Sequence, residues 1–163
     1  MTTVIIGVGN EYRHDDAAGI LAAQQLRALA PAQVTVAESD GEPTGLLDLW
    51  DGADLAVVID AVDSHGEPGR IYRLGLHHPA VASGAATSSH GVPLGDAVAL
   101  ARALDRMPAR LLLYGVQISD VSAGAGLSAP VADAVRRVVA EIADLLGFHR
   151  PGDAKVPNLR ETS

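Results

Sequence analysis

The stretch Leu55-Ala56-Val57-Val58-Ile59-Asp60-Ala61-Val62 decides how the rest of the chain is read. Apart from Asp60 it is apolar without interruption, and it is rich in β-branched residues. A strand with one wet face alternates polar and apolar residues. A near-continuous run fits a strand buried on both faces, in the middle of a parallel sheet. Toward the N-terminus, Val4 to Val8 is a short apolar run that ends among glycines and predicts a first strand. Asp15 to Leu29 carries Ile20, Leu21 and Leu26 among alanines and predicts an amphipathic helix. Gln33 to Ala37 alternates and predicts a second strand, and a short helix capped by Thr44 follows through Leu46, Leu47 and Trp50, ended by Gly52. Toward the C-terminus, the turn Gly66-Glu67-Pro68-Gly69 leads into a strand over Arg70–Leu74. A helix over Leu94–Leu104, a strand over Arg110–Ile118 and a helix from Ser128 to Leu146 complete the pattern, with Pro130 tolerated in the first turn of the last helix.

Strands alternating with helices predict a single-domain, three-layer α/β/α fold with a mostly parallel, twisted sheet of about five strands and helices on both faces. The expected domain covers residues 1–147. Residues 148–163 are polar, contain two prolines and offer little to bury, so a mobile tail is expected there. The segment Leu76–Gly91 (LHHPAVASGAATSSHG) predicts no element of its own. A loop of that length inside a compact domain is commonly functional or disordered, the plainer alternative being a tolerated surface insertion.

Bulk properties exclude several functions. The net charge is −8, with 12 Lys and Arg against 20 Asp and Glu, and no cationic cluster suits a phosphate backbone. Aromatic residues are only 3% of the chain, so stacking platforms for single strands are scarce. No nucleic-acid partner is expected. No apolar run approaches a membrane span, and no basic, cleavable leader precedes Val4, so no membrane association and a cytoplasmic location are expected. The absence of cysteine removes disulfides, thiol nucleophiles and thiolate metal sites.

In open α/β sheets, ligands sit beyond the carboxyl ends of the strands. The polar residues expected there are Asn10 and Asp15-Asp16 after strand one, Glu38, Ser39 and Asp40 after strand two, Asp60 and Asp63 at strand three, and Gln117, Ser119 and Asp120 after strand five. The long loop delivers His90. A carboxylate inside a buried strand must be paired, hydrogen-bonded or metal-bound, so Asp60 either binds something or caps the amides of a neighbouring loop. Asp16 fits the positive end of a helix dipole without any function, and Asp15 fits an N-cap. Taken together, Asp16, Asp60 and His90 form an oxygen and nitrogen set suited to a borderline divalent metal with positions left open. Gly7-Val8-Gly9 has Tyr12 where a dinucleotide fingerprint needs its third glycine, and there is no Walker loop, HExxH or GxSxG.

Ordered along the chain, Gly7-Val8-Gly9-Asn10, Asp15-Asp16, Gly19, Asp40-Gly41, Thr44-Gly45, Val58-Ile59-Asp60-Ala61-Val62, Ser89-His90-Gly91, Tyr114-Gly115-Val116-Gln117 and Gly126-Leu127-Ser128 resemble nickel-iron hydrogenase maturation endopeptidases. The resemblance spans about residues 4 to 146. It implies an endopeptidase that removes a C-terminal peptide from a nickel-loaded hydrogenase large-subunit precursor. It also implies that Asp16, Asp60 and His90 are the catalytic and metal-contacting residues, and that Asn10, Asp40, Gly41 and Thr44 bind substrate. The nickel would arrive with the precursor, and no organic cofactor is implied. The chain departs from the family at Asp16, where glutamate is usual, at Asp40-Gly41-Glu42-Pro43, where a second glycine is commoner, and at Ile118-Ser119-Asp120, which lacks a proline. Two rival readings are a self-contained metallohydrolase acting on a small amide or peptide, and a non-catalytic precursor-binding module.

Overall fold

The computed structural model describes residues 1–75 and 94–148. The strands are β1 (Thr3–Val8), β2 (Val34–Ser39), β3 (Leu55–Val62), β4 (Ile71–Gly75) and β5 (Arg110–Gln117). They form one sheet in the order β2-β1-β3-β5-β4. Neighbours are parallel except β4, which runs antiparallel to β5 at the edge. The expected single-domain α/β fold with a mostly parallel five-stranded sheet is therefore observed. β3 occupies the span read from its apolar run, every residue of it buried.

Among the described residues four helices cover the sheet: α1 (Ala18–Leu29), α2 (Pro43–Trp50), α3 (Gly95–Ala103) and α4 (Ala129–Leu146). The successive residues of a strand point to opposite faces, and the core divides accordingly. On one face Ile5, Val57, Ile59, Tyr114 and Val116 pack with Leu26 of α1 and Val135, Val138 and Ile142 of α4. On the other face Val4, Ile6, Val58 and Leu111 pack with Leu46, Leu47 and Trp50 of α2 and Ala97 and Ala101 of α3. Trp50 is fully buried, and its indole N–H donates to the Arg106 carbonyl at 3.0 Å, so the one polar atom of the largest core side chain is satisfied.

Two expectations are corrected locally. The helix predicted from Asp15 begins as a 3-10 turn over His14–Ala17, and α1 proper starts at Ala18. Thr44 is not the cap of α2. Pro43 occupies the first turn, which moves the cap back to Glu42, whose carboxylate accepts the backbone N–H of Thr44 and Gly45. Leu76–Gly91 and most of the expected tail lie outside the described residues. Phe148, at the start of that tail, packs against the α4 side of the core.

Candidate active site

The strand order places a switch point at β1 and β3. From β1 the chain crosses through α1 to β2 on one side, then returns through α2 to β3 on the other, so the helices that follow β1 and β2 lie on opposite faces. The crevice that such a reversal opens at the carboxyl ends of the strands is the usual ligand site of open α/β sheets. The two ends bordering it carry Gly9–Asp16 after β1 and Asp60 near the end of β3.

The segment after β1 curls tightly over the strand ends. Gly9 N–H donates to Ser39 O at 3.0 Å, Asn10 N–H to Asp16 O at 3.2 Å, and Asp16 N–H to Arg13 O at 3.0 Å. Gly9 has φ +149, and a Cβ there would overlap the Asp16 carbonyl, so only glycine lets the Asp16 backbone come down onto β1. Gly19 serves the same end at the start of α1, since a Cβ would overlap the carbonyls of Val8 and Ile59 and push the helix off both strands.

Asp60 is 3% exposed, and among the described residues its Oδ2 is buried with no hydrogen-bond partner. Burial first, and then the negative charge of Asp16, push its carboxyl up to about 7, against a smaller opposing hydrogen bond from the Ala61 backbone. The sequence leaves Asp60 either as a cap for a neighbouring loop or as a ligand, and among the described residues it caps no loop. Asp15 plays the capping part instead. It is fully buried, and its carboxylate accepts Ser119 N–H and Asp120 N–H at 2.8 Å each, Ser128 N–H at 2.7 Å and Ser128 Oγ–H at 2.8 Å. Burial raises the Asp15 carboxyl, but these bonds together outweigh it and hold it below the ordinary carboxylate range.

Beside this curl lies a cleft of about 460 Å³, bordered by Asn10, Tyr12, Ile20, Glu38, Ser39 and Asp40. Of the residues expected to bind substrate, Asn10 and Asp40 line it. Gly41 does not; it sits at φ +89 against Val8. Thr44 also stands outside the cleft, its hydroxyl donating to Glu42 Oε2. Asp16 and Asp60 are brought close enough to interact electrostatically, whereas His90 lies outside the described residues. No three His, Cys, Asp or Glu side chains gather around a metal position among the described residues. An orphaned buried carboxylate oxygen next to a second carboxylate nevertheless fits a hard or borderline divalent cation. Sequence reasoning places Ser119 and Asp120 at the same sheet edge as Asp15 but does not pair them with it, and it misses both Ser128 in that role, 113 positions away, and Tyr12, which is 72% exposed at the cleft. Neither leaves a local spacing signal.

With this geometry in view, similarity to known proteins narrows the class. The family model for HycI, hydrogenase maturation protease, matches residues 20–145, a span that includes Asp60 and His90 and begins just after Asp16. The hydrogenase expression/formation protein HupD of Bradyrhizobium diazoefficiens is 29% identical over 136 residues, which cover 81% of this chain and 71% of HupD. Two solved structures share the fold. The hydrogenase maturating endopeptidase HybD from E. coli gives a TM-score of 0.75 at 23% identity, over 90% of this chain and 93% of HybD. The [NiFe] hydrogenase maturation protease HycI from Thermococcus kodakarensis gives 0.66 at 26% identity, over 89% of this chain and 92% of that one. The chain belongs to the hydrogenase maturation protease family. Neither the small-substrate metallohydrolase nor the binding module gains support from these likenesses.

Proposed function

We propose that this endopeptidase removes a C-terminal peptide from a nickel-loaded hydrogenase large-subunit precursor, and that Asp16, Asp60 and His90 read the nickel the precursor carries. The observation that carries the reading is the buried Asp60 carboxylate beside Asp16 at the switch point, its Oδ2 without a partner among the described residues; the cleft lies on the other side of β1, against the segment that carries Asp16. Two adjacent carboxylates repel until a cation joins them. The nickel belongs to the substrate; when docked it would also polarise a nearby peptide carbonyl.

The remaining steps fall to the chain's own residues. Without the precursor, burial holds the Asp60 carboxyl up at about 7; a docked cation favours its charged form, and a carboxylate of the site then takes a proton from the attacking water and returns it to the leaving amine. Asn10 and Asp40 line the cleft in which the extended peptide lies. His90 completes the set from the segment before α3. Residues 1–147 form the catalytic unit in this reading, with 148–163 an appended polar tail, and the site of action is the cytoplasm. No helix among the described residues is long and apolar enough to cross a membrane.

The test is a cleavage assay on the precursor encoded beside this protein, nickel-loaded and nickel-free, followed by intact mass. Shortening is expected only of the nickel-loaded form, and Asp60→Ala abolishes it. Equal cleavage of both forms, or full activity of Asp60→Ala, overturns the reading.

A further inference from the structure

Two aspartates stand side by side in the 3-10 turn, and they are treated oppositely. Asp16 is half-buried and makes no side-chain hydrogen bond among the described residues. Asp15 is fully buried with both oxygens occupied, and every donor comes from the segment between β5 and α4. The backbones of the two segments are joined as well. Asp15 N–H donates to Asp120 O at 2.8 Å, Gly124 N–H to Tyr12 O at 2.9 Å and His14 N–H to Gly124 O at 3.0 Å. His14 Nδ1 lies 2.9 Å from the Gly126 carbonyl, and the His14 backbone takes φ +42, a conformation that a non-glycine residue seldom adopts without support.

The turn has little holding it from within. It is four residues long and its N-cap, Arg13, supplies no side-chain cap. Its orientation is therefore set by α1, into which it runs, by the Asn10 N–H bond to the Asp16 carbonyl, and by the grip of the β5–α4 segment on Asp15. At three residues per turn, neighbouring side chains on a 3-10 helix project about 120° apart. With Asp15 bonded into the β5–α4 segment, the turn cannot rotate to carry Asp16 away from Asp60 without breaking those bonds.

We propose that Asp15 is a positioning residue for the reaction: by anchoring the 3-10 turn to Ser119, Asp120 and Ser128, it fixes Asp16 against Asp60. The proposal rests on the function proposed above for its effect on turnover, and on geometry alone for its effect on the turn. It also gives the β5–α4 segment a part in catalysis, although none of its residues lines the cleft.

The experiment uses the full chain as wild type, Asp15→Asn and Ser128→Ala. Asparagine keeps the shape but sets an N–H₂ against at least one of the backbone donors. Ser128→Ala removes only the hydroxyl bond and leaves three backbone donors in place. Amide hydrogen exchange is followed at Asn10 and Asp16, whose N–H groups close the curl, with Val57 in β3 as the reference for global opening. In Asp15→Asn, exchange at Asn10 and Asp16 is expected to rise about 10- to 100-fold more than at Val57, as befits the loss of hydrogen bonds to a charged acceptor. The kcat on the nickel-loaded precursor falls at least about ten-fold while KM stays within a few-fold, the pattern of an interaction used only in the transition state. Ser128→Ala shifts both readings in the same direction by a smaller factor. A purely structural role raises exchange equally at all three amides and leaves kcat per folded molecule at the wild-type value, and that result overturns the proposal. If Asp15→Asn does not fold, Ser128→Ala is judged by the same criteria. If wild type fails to cleave, the proposed function falls, and the exchange pattern alone decides whether Asp15 fixes the turn.

Discussion

Replacing Asp60 by asparagine keeps the side chain's shape and removes its charge, which isolates the energetic burden of the buried carboxylate. A carboxyl moved from 3.8 to about 7 by folding binds its proton more tightly in the folded state than in the unfolded one. The sign of the linkage follows. Its stabilisation is complete below the unfolded value and is lost as pH rises toward 7, because above that point folding must bury an ionised group. At 1.36 kcal/mol per pH unit the full span amounts to about 4 kcal/mol, of which roughly 2.5 kcal/mol falls between pH 5 and pH 8. The measurement is urea denaturation of wild type and Asp60→Asn across that range. Taking the difference between the two cancels the other titrating groups. With an m-value of about 2 kcal/mol/M, the variant's midpoint is expected to gain roughly 1 M on wild type between pH 5 and pH 8. Parallel stability profiles for the two proteins would refute the reasoning, since they would mean that Asp60 carries its charge in the fold without penalty.

Two further outcomes follow from the same geometry. Gly19→Ala places a methyl into the carbonyls of Val8 and Ile59, so α1 must lift from the sheet; a loss of about 3 kcal/mol or more by thermal denaturation is expected, and a loss under about 1 kcal/mol would show that α1 shifts freely. Tyr12→Ala removes an exposed aromatic ring from the cleft, and a rise in KM of about ten-fold with an unchanged melting temperature is expected, matching the loss of roughly 1.4 kcal/mol at an aromatic contact.

How far the sequence revealed this arrangement depended on the range of the interaction concerned. β3 was read to its exact ends because burial on both faces leaves an unbroken apolar run, a signal contained within the strand itself. Asp60 stood out for the same reason, as the single charge in that run. The start of α1 was misplaced by three residues because two acids at a helix N-terminus look like ordinary dipole partners. In the fold one of them instead reaches Ser128, 113 positions away. Thr44 was read as a cap because threonine favours that position. Pro43 shifts the cap to Glu42, whose longer side chain still reaches the N–H groups of Thr44 and Gly45. Gly41 and Thr44 matched the family pattern, yet they support the β2–α2 connection and do not border the cleft. Tyr12 was invisible as a cleft residue because exposure in a loop has no periodicity to betray it.

The buried Asp60, its Oδ2 without a partner among the described residues, also bears on what the site refuses. A precursor without nickel would cover Asp16 and Asp60 with peptide and supply no positive charge, deepening the isolation of a carboxyl pair that already repels itself. Under the proposed function, rejection of the immature precursor therefore needs no separate sensor. Affinity for the correct form can stay modest, because the distinction between forms comes from a penalty imposed on the wrong one. A protease that acts once on each large subunit, and irreversibly, is well served by a checkpoint that works by withholding and not by gripping.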